Sequence, residues 1–328
     1  MKTTLTRRVT VALAALATLG AVSPAALAQA YPNKPVKLVV PYAPGGAMDA
    51  AARIVATELT KTLGQTVLVD NRAGGAGTLG THYVAKAEAD GYTLCFCVTG
   101  VMTITPLSDP KVPYDPLKDL MPVSHVHNME NVIMARKDLP ANTFKELIAL
   151  AKSRTQGLTF GTPGAGGTHH LGGEWLQRET GVKLVHVPYK GEGPAVGDLL
   201  GGQIDMVFGT AAVAAPLVKA GKVKVLANLG KNRSKLLPDV PTVAESGYPN
   251  YSWVNFVGIN VPAGTPAPVV KTLADSVIKT MHDPALIERF HSMGFEPVGS
   301  STKDYARLLQ RETATWGELL KTTTLTRD

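Results

Sequence analysis

Val39-Val40-Pro41-Tyr42-Ala43-Pro44-Gly45-Gly46-Ala47-Met48-Asp49 leads from an apolar strand, through a double-glycine turn, into a helical stretch reaching Leu63. Glycines let backbone N–H groups approach a ligand closely, and a helix N-terminus carries partial positive charge. Ala43, Pro44, Gly45, Gly46 and Asp49 are therefore candidate carboxylate-binding positions. Two readings of Asp49 stand side by side: a helix cap and a group that orients the ligand.

The same grammar recurs at Phe160-Gly161-Thr162-Pro163-Gly164-Ala165-Gly166-Gly167-Thr168-His169-His170, which runs into a helix carrying Leu171, Trp175 and Leu176. Successive N–H groups here suit an anion nest, with Thr162 and Thr168 adding hydroxyls. Gly164, Gly166, Gly167 and His169 join the candidates, and His170 reads as a surface or packing residue. Two such loops in different lobes would form two jaws of one cleft, at the carboxyl ends of parallel strands where open α/β sheets bind ligands.

A third glycine loop, Asp70 to Gly80, contains G-x-G-x-x-G at Gly75, Gly77 and Gly80. A dinucleotide site also needs an acid at the end of the next strand. That strand ends Cys95-Phe96-Cys97-Val98-Thr99-Gly100, without one. The loop is read as a turn, and no cofactor is expected.

Around these loops, β-rich runs at Val36–Tyr42, Thr66–Asn71, Tyr92–Val98, Leu158–Thr162, Leu184–Tyr189, Ile204–Gly209, Val223–Leu229 and Phe256–Val261 alternate with helical patterns. Those helices include Asp49–Leu63, Thr143–Ser153, His170–Thr180 and Ala195–Gly201. Alternation of this kind predicts an α/β fold with mixed, mostly parallel sheets covered on both faces. Val123–Ala135 and Tyr251–Val257 read as crossings between lobes. They place residues 29–126 and 253–328 in lobe 1 and residues 127–252 in lobe 2. Lys303–Leu320 reads as a packed amphipathic helix.

The amino terminus stands apart. Lys2, Arg7 and Arg8 precede an apolar run from Val9 to Val22 and the small-residue site Ala26-Leu27-Ala28. This is a secretory signal peptide over residues 1–28, cut after Ala28 or, second choice, after Ala30. Losing it lowers the formal charge from +7 to +4. With no dense basic run there is no footprint for nucleic acid, and no later stretch approaches the ~20 apolar residues of a membrane span. A periplasmic monomer is expected.

Cys95 and Cys97 lie two apart on one strand, a poor geometry for a disulfide, and read as small buried residues. Enzyme readings find little support. H-E-x-x-H is absent, no cysteine/histidine cluster has metal-ligand spacing, and no G-x-S-x-G elbow or nucleophile–base pair appears. Neither a metal nor a catalytic residue is expected. Asp205, at a strand start, is more often structural than catalytic. Tyr189 and Trp253 fit either an apolar cleft or the core.

In order along the chain stand Tyr31-Pro32-Asn33-Lys34-Pro35-Val36, Pro44–Asp49 with Ala52-Arg53, Asn71-Arg72, Val84-Ala85-Lys86-Ala87 and Asp90-Gly91-Tyr92-Thr93-Leu94. There follow Gly161–Gly167, His186-Val187-Pro188-Tyr189-Lys190-Gly191, Asp198–Asp205, Leu237-Pro238-Asp239-Val240-Pro241-Thr242 and Pro262-Ala263-Gly264-Thr265-Pro266. With these motifs the chain resembles the Bug-type (TctC-like) solute-binding proteins of tripartite tricarboxylate transporters. The resemblance implies a two-lobed type II periplasmic-binding-protein fold and no enzymatic activity. It also implies that the Pro44–Asp49 and Thr162–His169 loops hold one carboxylate of a dicarboxylate, tricarboxylate, acidic amino acid or aromatic acid. Tyr42, Met48, Thr99, His169 and Tyr189 would meet the far end of the ligand, and Asp205 completes the candidate set. The thioether of Met48 points to an aromatic or otherwise apolar tail. The implied partners are membrane transporter subunits or, as the alternative, a membrane signalling protein that uses the same cleft as a sensor; a secreted hydrolase is the weaker alternative.

Overall fold

The computed structural model describes residues 31–323; the signal peptide read in residues 1–28 lies outside them. The chain divides into a short amino-terminal unit, Met1–Asn33, and a large unit from Lys34 onward. Both sheets, all the helices named below and the candidate site belong to the large unit.

The first sheet has the order β11-β4-β10-β3-β1-β2, with β1 Val36–Val40, β2 Val67–Asn71, β3 Thr93–Val98, β4 Leu120–Met129, β10 Asn255–Pro262 and β11 Phe295–Pro297. The second has the order β7-β6-β8-β5-β9, with β5 Asn131–Arg136, β6 Leu158–Thr162, β7 Leu184–Pro188, β8 Met206–Thr210 and β9 Val223–Asn228. The longer helices are α1 Ala47–Leu63, α2 Thr78–Ala85, α3 Phe144–Ser153, α4 Thr168–Thr180, α5 Glu192–Leu200, α6 Ala211–Lys219, α7 Ala267–Met281, α8 Pro284–Ser292 and α9 Thr302–Leu320.

Each sheet is built on a parallel triplet, β2-β1-β3 and β7-β6-β8. The strands that carry the chain between sheets run antiparallel to these triplets: β10 against β3, and β5 against β8. Only Glu130 separates β4 of the first sheet from β5 of the second, and the chain returns between Asn228 and Asn255. The β-leaning stretch Val123–Ala135 is thus two strands in two sheets.

Period-two alternation explains why the second sheet is covered on both faces. Ile133, Phe160 and Phe208 join one apolar cluster with Leu171 and Leu176 of α4, whereas Val132, Met134 and Val207 join another with Ala195 and Val196 of α5. Burying a side chain such as Phe160 contributes about 1.5–3 kcal/mol. In the first sheet every residue of central β10 is buried, and its near-continuous apolar run reflects cover on both faces. Helix α1 buries its alanine face and stops where Gly64 adopts a left-handed conformation, its N–H reaching Thr60 O.

Two details depart from the sequence reading. Cys95 and Cys97 are joined in a disulfide, with Cα atoms 5.3 Å apart. Two such residues in an extended strand stand about 6.6 Å apart, so a local contraction of β3 provides the approach that flat strand geometry withholds. Helix α9 also makes a third link between the sheets. It packs against β4, while its Trp316 enters the cluster built on Phe160 and Phe208. Arg178 of α4 donates to Thr322 Oγ1 (2.6 Å) and Thr323 Oγ1 (2.9 Å) just beyond α9.

Candidate functional site

The carboxyl ends of β1, β3, β6 and β8 converge on one cavity, where open α/β sheets place their ligand sites. From the β1–α1 turn come Tyr42, Ala43, Gly46, Ala47 and Met48, and from the β6–α4 turn Pro163, Gly164, Gly167, Thr168 and His169. Both helices start without a side-chain cap, on Gly46 and Gly167. Two helix N-termini with their backbone N–H groups therefore face one small volume, an arrangement suited to an anion.

Of the sequence-predicted residues, Tyr42, Ala43, Gly46, Met48, Gly164, Gly167, Thr168 and His169 line the cavity. Tyr42 holds its hydroxyl on Ala76 O at 3.0 Å. His169 Nε2 meets Asn131 Oδ1 at 3.1 Å, and the same oxygen accepts from Asn255 Nδ2 at 3.2 Å. Nε2 is thus the protonated nitrogen of His169. Burial pushes the His169 pKa down to about 4, which leaves the imidazole neutral at physiological pH.

The remaining candidates do not line the cavity. Pro44 and Gly45 form the outer bend of the first turn, with Gly45 at φ +90°. Asp49 faces backwards: Arg53 Nε donates to it at 3.0 Å and the Gly45 N–H at 3.2 Å, while Arg53 reaches Asn71 at 3.3 Å. Burial opposes ionisation of Asp49, but these donors outweigh it and hold the carboxyl below its ordinary range. Asp49 therefore fastens the turn from behind. Thr162 and Gly166 do the same for the second turn. Thr162 Oγ1 donates to Gly164 O (3.0 Å) and pairs with His186 Nε2 (2.7 Å), while the Gly166 N–H donates to His170 Nδ1 at 3.0 Å. His170, buried, stacks on His186 with centroids 3.7 Å apart.

Three further candidates have their polar groups engaged with other parts of the protein. Thr99 is consumed in pinning β3 to β10, where its hydroxyl accepts the Phe256 N–H at 2.9 Å. Tyr189 turns its hydroxyl to Asp198 Oδ2 at 2.7 Å. Asp205 lies at the amino-terminal end of β8 and binds Arg136 Nε (3.2 Å) and the Thr159 N–H (3.0 Å), away from the strand ends that form the cavity.

Sequence reasoning missed Ala76, Val98, Met129, Glu192, Thr210 and Asn255 in the lining. Val98 and Thr210 end strands β3 and β8, and Glu192 opens α5 just after β7. The rule that picked out the first two loops, applied to every parallel strand, would have found them. Glu192 is 6% exposed. Its Oε1 accepts the Thr210 N–H at 2.6 Å and its Oε2 the Ala47 N–H at 3.3 Å. Burial raises its pKa against the pull of those donors.

A model of the tripartite tricarboxylate transporter family receptor (TctC) matches residues 51–325. The chain belongs to the tripartite tricarboxylate transporter receptor family. Among relatives of this TctC chain, the UPF0065 protein in the TAR-I ttuE-ttuC' intergenic region of Agrobacterium vitis is 41% identical over 281 residues, 86% of this chain and 81% of that one. Two solved structures are similar to it. Periplasmic binding protein BugD has TM-score 0.87 and 35% identity over 91% of this chain and 100% of its own. R. palustris Rpa4515 with adipate has TM-score 0.86 and 34% identity over 89% and 98%. The two sheets of this TctC receptor are thus the two lobes of a periplasmic-binding-protein fold, and the cavity lies between them. Among the described residues no helix is long and apolar enough to cross a membrane, and no group of three or more His, Cys, Asp or Glu side chains could hold a metal ion.

Proposed function

We propose that this TctC-family protein is a periplasmic receptor. It captures a small carboxylate between its lobes and presents it to the membrane subunits of a tripartite tricarboxylate transporter. The observation that carries the reading is the convergence of two helix N-termini, one from each lobe, on a single cavity with a largely apolar lining, where α4 starts without a side-chain cap and the start of α1 meets Glu192. A carboxylate is among the anions such N–H groups stabilise. The relative solved with adipate supports the same ligand class. Gly167, Thr168 and His169 are the proposed carboxylate cradle. Tyr42, Met48 and Gly164 are proposed to shape the rest of the pocket, with Asp49, Thr162 and Gly166 fastening the turns. The proposed lobes are residues 29–126 with 253–328, and residues 127–252.

In this reading the ligand docks on one lobe and then favours the closed form by touching both. Closure follows only if the closed state binds the ligand more tightly. A thermal-shift screen of unfolded and refolded protein against mono-, di-, tricarboxylic and aromatic acids tests this. A ligand at about 100 times its dissociation constant adds roughly 2.7 kcal/mol of stability. A selective rise in melting temperature supports the assignment, and a flat response by fully refolded protein contradicts it.

A further inference from the structure

Glu192 is the one carboxylate among the described residues that line the cavity; no lysine or arginine is among them. It belongs to lobe 2, opening α5, yet its Oε2 takes the Ala47 N–H at the start of α1 in lobe 1. That is one of the two helix N-termini an incoming anion would seek. Both carboxylate oxygens also meet the Thr210 hydroxyl, at 3.0 and 3.1 Å, and Oε1 takes the Thr210 N–H. The side chain is therefore fixed, and Gly46 leaves room for it: a Cβ there would stand 3.2 Å from Glu192 Cβ.

From this geometry we infer that Glu192 is a specificity-determining residue: it fills the anion position at the start of α1 with the protein's own carboxylate, so the receptor selects a monocarboxylate with an uncharged tail and rejects a second ligand carboxylate. The inference rests on the carboxylate-receptor reading. One ligand carboxylate meets the start of α4, where Thr168 and His169 stand without a side-chain cap. The rest of the ligand meets Met48, Met129, Val98, Ala76, Pro163 and Tyr42, an apolar wall in which the two thioethers adapt to shape. A second ligand carboxylate would share a small, desolvated space with Glu192 and find no cationic side chain on the wall. Like charges so placed repel strongly because the surroundings screen them poorly.

Isothermal titration calorimetry of the refolded full chain with hexanoate against adipate, and benzoate against terephthalate, tests the inference at pH 8, where all four ligands are ionised. The wild type is expected to bind the monoacid of at least one pair about tenfold or more tighter than its diacid. Glu192→Gln, which keeps the shape and an acceptor for Thr210, is expected to narrow that ratio by about tenfold, or roughly 1.4 kcal/mol. Equal or tighter binding of the diacids by the wild type overturns the inference, as does an unchanged ratio in folded Glu192→Gln protein. If that variant fails to fold, the wild-type ratio decides. Binding of none of the four overturns the carboxylate reading itself and this inference with it; a diacid preference overturns this inference alone.

Discussion

The Ala47 N–H donates across the cleft to Glu192 Oε2 at 3.3 Å, joining the first turn of α1 in one lobe to the first residue of α5 in the other. Two further hydrogen bonds run beside it: the Ala43 N–H to Lys190 O at 3.0 Å, and Thr105 Oγ1 to Gly166 O at 3.1 Å. Each of these three contacts uses a backbone group of a turn, and the turns tolerate little added bulk. Changes at these turns should register as changes in closure before they register as changes in folding.

Gly164 is the sharpest case. It sits at φ +155°, and a Cβ there would fall 2.6 Å from Ala76 Cα in the opposite lobe. Gly164→Ala should reduce ligand affinity about tenfold or more, the equivalent of roughly 1.4 kcal/mol. The strained φ acts on both open and closed forms, whereas the Ala76 clash acts on the closed form alone. Calorimetric affinity alongside a thermal melt of free protein checks this: affinity should suffer more than the melt.

Asn131 ties three elements together at the crossing. Its Oδ1 accepts from His169 Nε2 and Asn255 Nδ2, while its own Nδ2 donates to Met129 O at 3.1 Å. Asn131→Ala strands two buried donors, at a cost of about 1–3 kcal/mol each when unsatisfied. The expected result is a clear loss of stability in denaturant titration together with weaker ligand binding, because His169 is freed from its orientation.

The buried histidines set an acid limit. Burial holds His127 at about 3, His169 at about 4 and His186 at about 3, each below the ordinary 6.5. A depressed folded pKa means the unfolded chain binds the proton first. The stability these groups contribute is present above 6.5 and is lost as pH falls toward their folded values. The melting temperature should drop steadily between about pH 6.5 and pH 4, and His186→Gln should make the slope shallower. A melting temperature constant over that range would contradict the assignment.

Glu192 acts with the opposite sign. Its pKa is raised, so its contribution is fully present below the ordinary 4.5 and is lost as pH rises through its folded value. Glu192→Gln should therefore gain stability relative to the wild type as pH increases. Paired melts at mildly acid and mildly alkaline pH measure the difference.

The turns at Pro44–Asp49 and Thr162–His169 were legible because glycine and helix-start signals are local, as were the alternating strands and helices. Which residues of those turns line the cavity was not legible. Asp49 read equally as a helix cap and as a ligand contact; Arg53, one helical turn on, and Asn71, on a neighbouring strand, hold it at the back of the loop. The place of Glu192 at a strand-to-helix turn was legible, but its role was not. Its role depends on Thr210 and Ala47, which are distant in sequence and meet only when two sheets are brought together. Tyr189 fitted either the cleft or the core, because its partner Asp198, nine residues on, reads simply as part of a helix.

A crystal structure of the protein with the carboxylate that gives the largest thermal shift tests the central claim most directly. The account predicts the ligand carboxylate in the interlobe cavity, within about 3 Å of the N–H groups that open α4 at Thr168 and His169, with its tail against Met48 and Met129. A ligand carboxylate bound elsewhere, or a cavity that stays without ligand while the protein is saturated, would contradict it.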